Sequence, residues 1–328
     1  MARALLVGGT RFMGRHTVEE LLAHEYEVTT FTRGESGNPF ADRDGVTHFE
    51  GNRNDREALE AARDEVDPDI VIDFCVMHPR QITAATEIFA DVDAYVYVSS
   101  GSAYAENRIP MREDTTLHDC SPEQADDESM ESYGPRKAEC DRVCIAAAEE
   151  EDVNAMVFRP MLIYGPYDYT ERYDYWLHRV AEYDRVLVPG DGGSLLHRAY
   201  ALDGARALRT VAEHGSPGEA YNFADRETMS LDDSLELAAD ALDTEVELVH
   251  ASERELERHG VSPAEFPLYT PAPFLVSTEK LAALGWESTP LSEAVAKTVE
   301  EHLESDRTGE EIGPDRGTEE AIIADLTD

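Results

Sequence analysis

A chain of 328 residues with 41% hydrophobic side chains can fill one large core or two modest ones, which sets aside a disordered or fibrous polymer. Its 70 Asp and Glu against 28 Lys and Arg leave a formal charge of −42, so the surface repels nucleic acid and anionic membranes at ordinary salt. No apolar run approaches the ~20 residues of a membrane span, and the first residues lack the apolar stretch and cleavage site of a signal peptide, so a cytoplasmic protein is expected.

At molar salt the Debye length shrinks to about 3 Å and self-repulsion is screened. The acidity therefore reads as the cytoplasmic surface of a halophile rather than a dedicated acidic binding face. Cys75, Cys120, Cys140 and Cys144 form neither a disulfide framework nor a paired zinc pattern, and no metal site is expected. Cys140 and Cys144 share a helical face and are read as packing residues.

In chain order, residues 3–7 make a short apolar strand, followed at once by Gly8-Gly9-Thr10-Arg11-Phe12-Met13-Gly14 and an amphipathic helix to about residue 24. Strand, glycine turn and helix start together can bind a pyrophosphate. The next strand, 28–32, ends in Thr32-Arg33, where an NAD site places an acid for the ribose hydroxyls. Arg33 could instead meet a 2′-phosphate through charge-assisted hydrogen bonds. Residues 34–45 read as a polar loop and 46–49 as a strand, and Gly51-Asn52-Arg53-Asn54-Asp55 leads into another helix. The apolar run 69–74 marks a parallel strand covered on both faces. Helix 81–90 and strand 94–99 repeat the alternation, which argues a doubly wound parallel sheet with ligands at its carboxyl edge.

That edge receives Ser99-Ser100-Gly101-Ser102, and residues 105–131 follow as a polar loop long enough to be a lid or specificity loop. A central helix runs from Tyr133 to about Glu150. Strand 154–158 leads into Arg159-Pro160 and Tyr164-Gly165-Pro166, where the chain leaves the sheet. The expected domains are a dinucleotide-binding domain over 1–166, with a return segment at about 197–225, and a smaller mixed α/β substrate domain over 167–196 and 226–304. Ser230 begins a capped helix and Ser292 the last ordered one. Residues 305–328 are polar and acidic and are expected to be disordered.

The helix start Ser132-Tyr133-Gly134-Pro135-Arg136-Lys137 sets a phenol and an ammonium four residues apart on one face. Ser132 can cap this helix, and Pro135 falls in its first turn, where a missing N–H costs nothing. With three lysines and 14 tyrosines, Tyr-x-x-x-Lys arises by chance on the order of 0.1 times. An adjacent cation favours the phenolate and brings a tyrosine, ordinarily near pKa ~10, towards use as a base.

The glycine turn, Ser99-Ser100 and Tyr133-x-x-x-Lys137, in that order, resemble the extended short-chain dehydrogenase/reductases, the NAD-dependent epimerase/dehydratase family. The resemblance spans residues 1–304 and is strengthened by Arg159-Pro160 and Tyr164-Gly165-Pro166. It implies a Rossmann-type fold and hydride transfer, with Tyr133 as general acid/base, Lys137 lowering its pKa, and Ser100 bonding the reacting oxygen. It also implies cofactor contacts at Gly8, Thr10, Arg11, Phe12, Gly14, Arg33, Asn52, Asp55, Tyr133, Lys137 and Pro160. Arg11 stands at the usual middle glycine and resembles the basic position that selects NADP, so NADP is expected over NAD.

Leu162 replaces an asparagine that many sugar-nucleotide epimerases use for substrate phosphates. Gly101 and Ser102 replace the Asp-Glu pair of the dehydratases, which disfavours dehydration. The expected activity is an epimerase or oxidoreductase of a sugar or sugar-nucleotide, with Ser102, Tyr104, Arg172 and Arg198 as substrate contacts and a homodimer as the assembly. Glycine-arginine turns of this type also resemble a chloroplast stem-loop-binding branch, so the alternative is a non-catalytic nucleotide- or RNA-binding protein.

Overall fold

The computed structural model describes residues 1–35 and 37–327; Ser36, in the expected polar loop, and Asp328, at the end of the expected tail, lie outside the described residues. The chain runs β1 (Arg3–Val7), α1 (Phe12–Ala23), β2 (Glu27–Thr32), β3 (Val46–Glu50), α2 (Arg56–Val66), β4 (Ile70–Asp73), α3 (Pro79–Ile88) and β5 (Ala94–Val98). It continues through α4 (Pro122–Asp126), α5 (Tyr133–Glu151), β6 (Ala155–Pro160), β7 (Leu162–Tyr164), α6 (Asp174–Glu182), β8 (Arg185–Pro189), β9 (Arg198–Tyr200), α7 (Ala201–His214) and β10 (Ala220–Phe223). Then come α8 (Leu231–Ala241), β11 (Glu247–Ala251), α9 (Glu253–Glu257), α10 (Glu279–Ala282), α11 (Leu291–Leu303) and α12 (Arg316–Thr327).

The first unit comprises Met1–Ile163, Ala201–Ala224 and Val276–Ser288. Its seven strands form one parallel sheet in the order β10-β6-β5-β4-β1-β2-β3. The run Ile70–Asp73 is buried throughout, as a strand covered on both faces requires. On one face Cys140 and Cys144 of α5 join Leu5, Val71, Ile82 and Tyr97 in the core, which is the packing role expected of them. On the other α1 packs against α7, so closely that a Cβ at Gly204 would lie 2.5 Å from Met13 Sδ. Strand order reverses direction at β1, which opens a crevice at the carboxyl ends of β1 and β4, the place where such sheets bind ligands.

Residues 276–288, read from sequence as substrate domain, belong to this first unit. Trp286 Nε1 donates to Asp203 O at 3.2 Å, and Arg112 pairs with Glu279 at 2.8 Å. The loop 105–131 is also more ordered than its polarity suggests, because it carries α4, closed by a Ser121–Gln124 capping box.

The second unit comprises Tyr164–Tyr200, Asp225–Leu275 and Thr289–Asp328. A parallel pair, β8 and β11, lies among α6, α8, α11 and α12. Ser230 caps α8 through a box with Asp233, as read from sequence. The expected disorder beyond residue 304 is corrected: α12 buries Glu319, Ile322 and Ile323. The physical reason is an ion pair between Glu319 and Arg179 at 2.7 Å, whose guanidinium lies 3.4 Å from the Tyr175 ring centroid. Two long-range partners thus hold what composition alone marks as a solvated tail.

Candidate active site

β1 delivers the chain into a turn that only glycine can make. Gly8 has φ +104° and Gly9 has φ +91°, and a Cβ at Gly14 would lie 2.6 Å from Gly9 Cα. The turn therefore closes tightly onto the start of α1. Arg11 occupies the N-cap in extended conformation without a side-chain cap, and no acid stands in the first turn, so the helix N-terminus keeps its affinity for an anion. These residues fit a dinucleotide's pyrophosphate. Phe12 is buried behind them, and Pro160 closes β6 in the same sheet.

The ribose end of the crevice is less simple. Arg33, just past β2, is exposed and pairs with Glu35 at 3.0 Å. Glu50, at the end of β3, stands 3.5 Å from where a Gly34 Cβ would be, a carboxylate that the sequence reading passed over. Asn52 accepts from Asn54 N at 2.9 Å, and Asp55 caps α2 by accepting from Glu57 N and Ala58 N. In both side chains assigned to the cofactor by resemblance, one oxygen, Oδ1, is thus engaged by local backbone N–H groups.

At the centre of the sheet's carboxyl edge, Lys137 is 3% exposed and donates to Val76 O at 2.9 Å and Val98 O at 3.1 Å. Two strand-exit carbonyls fix the ammonium 6.0 Å from the Tyr133 ring centroid and 4.8 Å from that of Tyr97. Tyr133 and Lys137 share a helical face as their spacing predicts. Ser100 opens a 3-10 turn over Gly101–Ala103, and its Oγ accepts from Ser102 N at 3.1 Å, which leaves its proton free to donate. Ser132 sits at the N-cap of α5 but makes no capping bond, a departure from the sequence reading; its hydroxyl serves Asp127 instead.

Beneath this edge lies a buried polar network. Arg159 Nε donates to Asp141 at 2.6 Å, Ser99 donates to the same carboxylate at 2.5 Å, and both ion-pair partners are at most 1% exposed. Burial pushes the Asp141 carboxyl up against the pull of Arg159. Arg159 Nη1 also donates to Tyr104 OH at 3.0 Å, and Tyr104 donates to Asn222 at 2.6 Å. Tyr104, expected as a substrate contact, is buried with its hydroxyl accepting from Arg159 and donating to Asn222, and burial pushes its pKa up. Asp141 is one turn beyond Lys137, and Ser99 directly precedes Ser100, so the network ties the helix that carries Tyr133 and Lys137 to the strand that leads into Ser100.

The NAD dependent epimerase/dehydratase family model matches residues 4–224, two thirds of the chain and all of the residues just described. The chain belongs to this family. It is 26% identical over 299 residues to the "Chloroplast stem-loop binding protein of 41 kDa b" of Arabidopsis thaliana, covering 87% of this chain and 75% of that protein. It is 24% identical to the "Low-salt glycan biosynthesis protein Agl12" of Haloferax volcanii, covering 86% and 92%. Among solved structures, the dTDP-glucose 4,6-dehydratase of Bacillus anthracis in complex with NAD superposes with a TM-score of 0.74 at 18% identity, over 93% of this chain and 98% of that one. At that identity the likeness is one of fold.

The second unit of this epimerase/dehydratase chain holds a cavity of about 720 Å³, lined in part by Pro189, Gly190, Leu196, Arg198, His250 and Tyr269. Arg198 is 2% exposed, donates through Nη1 to Ser234 at 2.9 Å, and lies 5.1 Å from the Tyr173 ring centroid. Its Nε has no hydrogen-bond partner among the described residues, and burial draws its pKa down. Arg172 differs: it donates to Thr170 at 3.0 Å and does not line that cavity. Of the two arginines named from sequence, the geometry favours Arg198. Two buried groups escaped the sequence reading: Arg53, paired with Asp73 at 2.8 Å where β4 ends, and Asp141. Arg53 stands inside a quoted stretch and Asp141 four residues past Lys137, but their partners Asp73 and Arg159 lie 20 and 18 residues away on other elements, so no local spacing points to either pair.

Proposed function

We propose that the protein is an NAD(P)-dependent epimerase or carbonyl/alcohol oxidoreductase acting on a sugar or sugar-nucleotide, with NADP preferred. The observation that carries this reading is the ammonium of Lys137, pinned by two strand-exit carbonyls beside Tyr133 and next to the Ser100 turn. A nicotinamide, when bound, supplies hydride exchange with the substrate carbon. Tyr133 takes the proton of the carbinol hydroxyl as that carbon is oxidised and returns it on reduction. Ser100 donates a hydrogen bond to the same oxygen, and Lys137 stabilises the phenolate by its charge. Gly101 and Ser102 supply no carboxylate for eliminating water, so the return of hydride to either face, or a simple reduction, completes the reaction.

The sugar-nucleotide class is supported by the name of the Bacillus anthracis neighbour and by the glycan role printed for the Haloferax relative. Arg198 and the cavity that it lines are our candidates for holding an anionic part of such a substrate. We further read the charge as that of a halophile's cytoplasmic protein, and we expect a homodimer, which sedimentation checks. The Arabidopsis relative favours a second reading, a non-catalytic RNA-binding protein. A charge of −42 works against it.

The deciding experiment incubates the full chain with NAD⁺ or NADP⁺ and a panel of sugar-nucleotides, follows epimers or oxidised sugars by NMR, and measures RNA binding in the same salt. New sugar species without RNA binding is the expected result. RNA binding with an unchanged panel would replace the enzyme reading with the alternative.

A further inference from the structure

The segment between Tyr104 and Tyr133 brings one titratable side chain back to the catalytic turn. Its return arm is zipped to the chain leaving Ser100: Ala105 N donates to Thr116 O at 2.9 Å, Tyr104 and Leu117 form an antiparallel bridge, and His118 N donates to Ala103 O at 3.0 Å. From the other side Arg142, held by Glu139 at 2.8 Å, donates through Nη2 to the His118 carbonyl. The backbone of His118 is therefore fixed from two directions.

Gly134 locates the imidazole. A Cβ at that position would lie 3.2 Å from His118 Cδ2, 3.4 Å from His118 Nε2 and 2.7 Å from Ser102 O. Gly134 follows Tyr133 directly, and Ser102 is two residues past Ser100. The ring thus packs onto the first turn of α5, in the gap where any other residue would place a side chain. It is partly exposed, and its nitrogens make no hydrogen bond among the described residues.

We propose that His118 is a further substrate-contacting residue, whose imidazole hydrogen-bonds a sugar hydroxyl near the carbinol served by Tyr133. This rests on the hydride-transfer reading above. A neutral imidazole offers one donor and one acceptor, which match the donor-and-acceptor character of a hydroxyl. Clamped as it is, the ring reaches the substrate with little ordering left to lose, so the loop sets specificity through one rigid point. Gly134 is small because the ring and the Ser102 carbonyl fill the space.

The test uses the cofactor-loaded full chain and its His118→Asn variant, with UDP-glucose, dTDP-glucose and related sugar-nucleotides as probes. Imidazole ¹⁵N spectra, with His118 assigned by the variant, report contact; steady-state kinetics report its effect. Expected is a moved His118 signal on adding the sugar-nucleotide, and KM raised roughly tenfold in His118→Asn with cofactor affinity and kcat within about twofold. A sugar-nucleotide that turns over without moving the signal, and with KM unchanged in the variant, overturns the proposal and leaves the hydride-transfer reading standing. If no sugar-nucleotide in the panel binds, that reading fails and the proposal fails with it.

Discussion

Single residues decide the cofactor question, and they pull in opposite directions. Arg11 and Arg33 bring positive charge to the glycine turn and to the end of β2, while Glu35 engages Arg33 at 3.0 Å and Glu50 sits beside Gly34. A 2′-phosphate would have to displace an exposed ion pair, which costs little because such pairs contribute at most about 1 kcal/mol. One charged contact then stabilises the phosphate by roughly 1.5 kcal/mol, or about tenfold in affinity. Fluorescence titration at the lowest salt that keeps the protein folded should give NADP an advantage of roughly tenfold that Arg33→Ala removes. Equal affinities in both proteins would mean that Arg33 does not read the phosphate. At this scale the sequence told much: the glycines, Ser100, Tyr133 and Lys137 are short-range patterns. The burial of Tyr104 was not legible, because its partner Asn222 is 118 residues away.

Between elements, the Asp141–Arg159 pair joins α5 to β6 where no solvent reaches. Breaking one side of a buried pair leaves the other charge unpaired and typically costs 3–5 kcal/mol. Asp141→Asn should therefore lower stability to chemical denaturation by about 3 kcal/mol. Replacing both partners with leucine and methionine should recover much of that loss, and an Asp141→Asn variant as stable as wild type would show that the pair does not couple the two elements. The link from α4 to α5 carries a pH signal. Asp127 is held at about 2, chiefly by the hydroxyls of Ser129 and Ser132 and by the Ser129 backbone N–H. Its folded pKa lies below the ordinary ~3.9. The contribution is thus complete above pH ~4 and is lost as pH falls from there through 2. A carboxyl NMR titration with a midpoint near 4 would contradict the arrangement. Strands and helices of the sheet were legible because runs such as 69–74 show burial on both faces, whereas the order in 105–131 rests on backbone clamps that leave no hydrophobic period.

For the whole molecule, a charge of −42 at pH 7 predicts that the fold needs salt. Raising KCl from 0.1 M to above 1 M shortens the Debye length from about 10 Å to 3 Å or less, so thermal unfolding should move upward by several degrees or more. A transition independent of salt would mean that paired charges already cancel the repulsion. The helix over Arg316–Thr327 marks where composition misleads: Glu319 counts as one more surface acid in the sequence, yet it is buried against an arginine 140 residues earlier. The central claim, a Tyr133 acid/base held active by Lys137, is met most directly by comparing wild type with Tyr133→Phe. Turnover of a responsive sugar-nucleotide and the Kd of the cofactor are measured together. The account predicts at least a ~10²-fold loss of turnover with the Kd unchanged; turnover near wild type in Tyr133→Phe would contradict it.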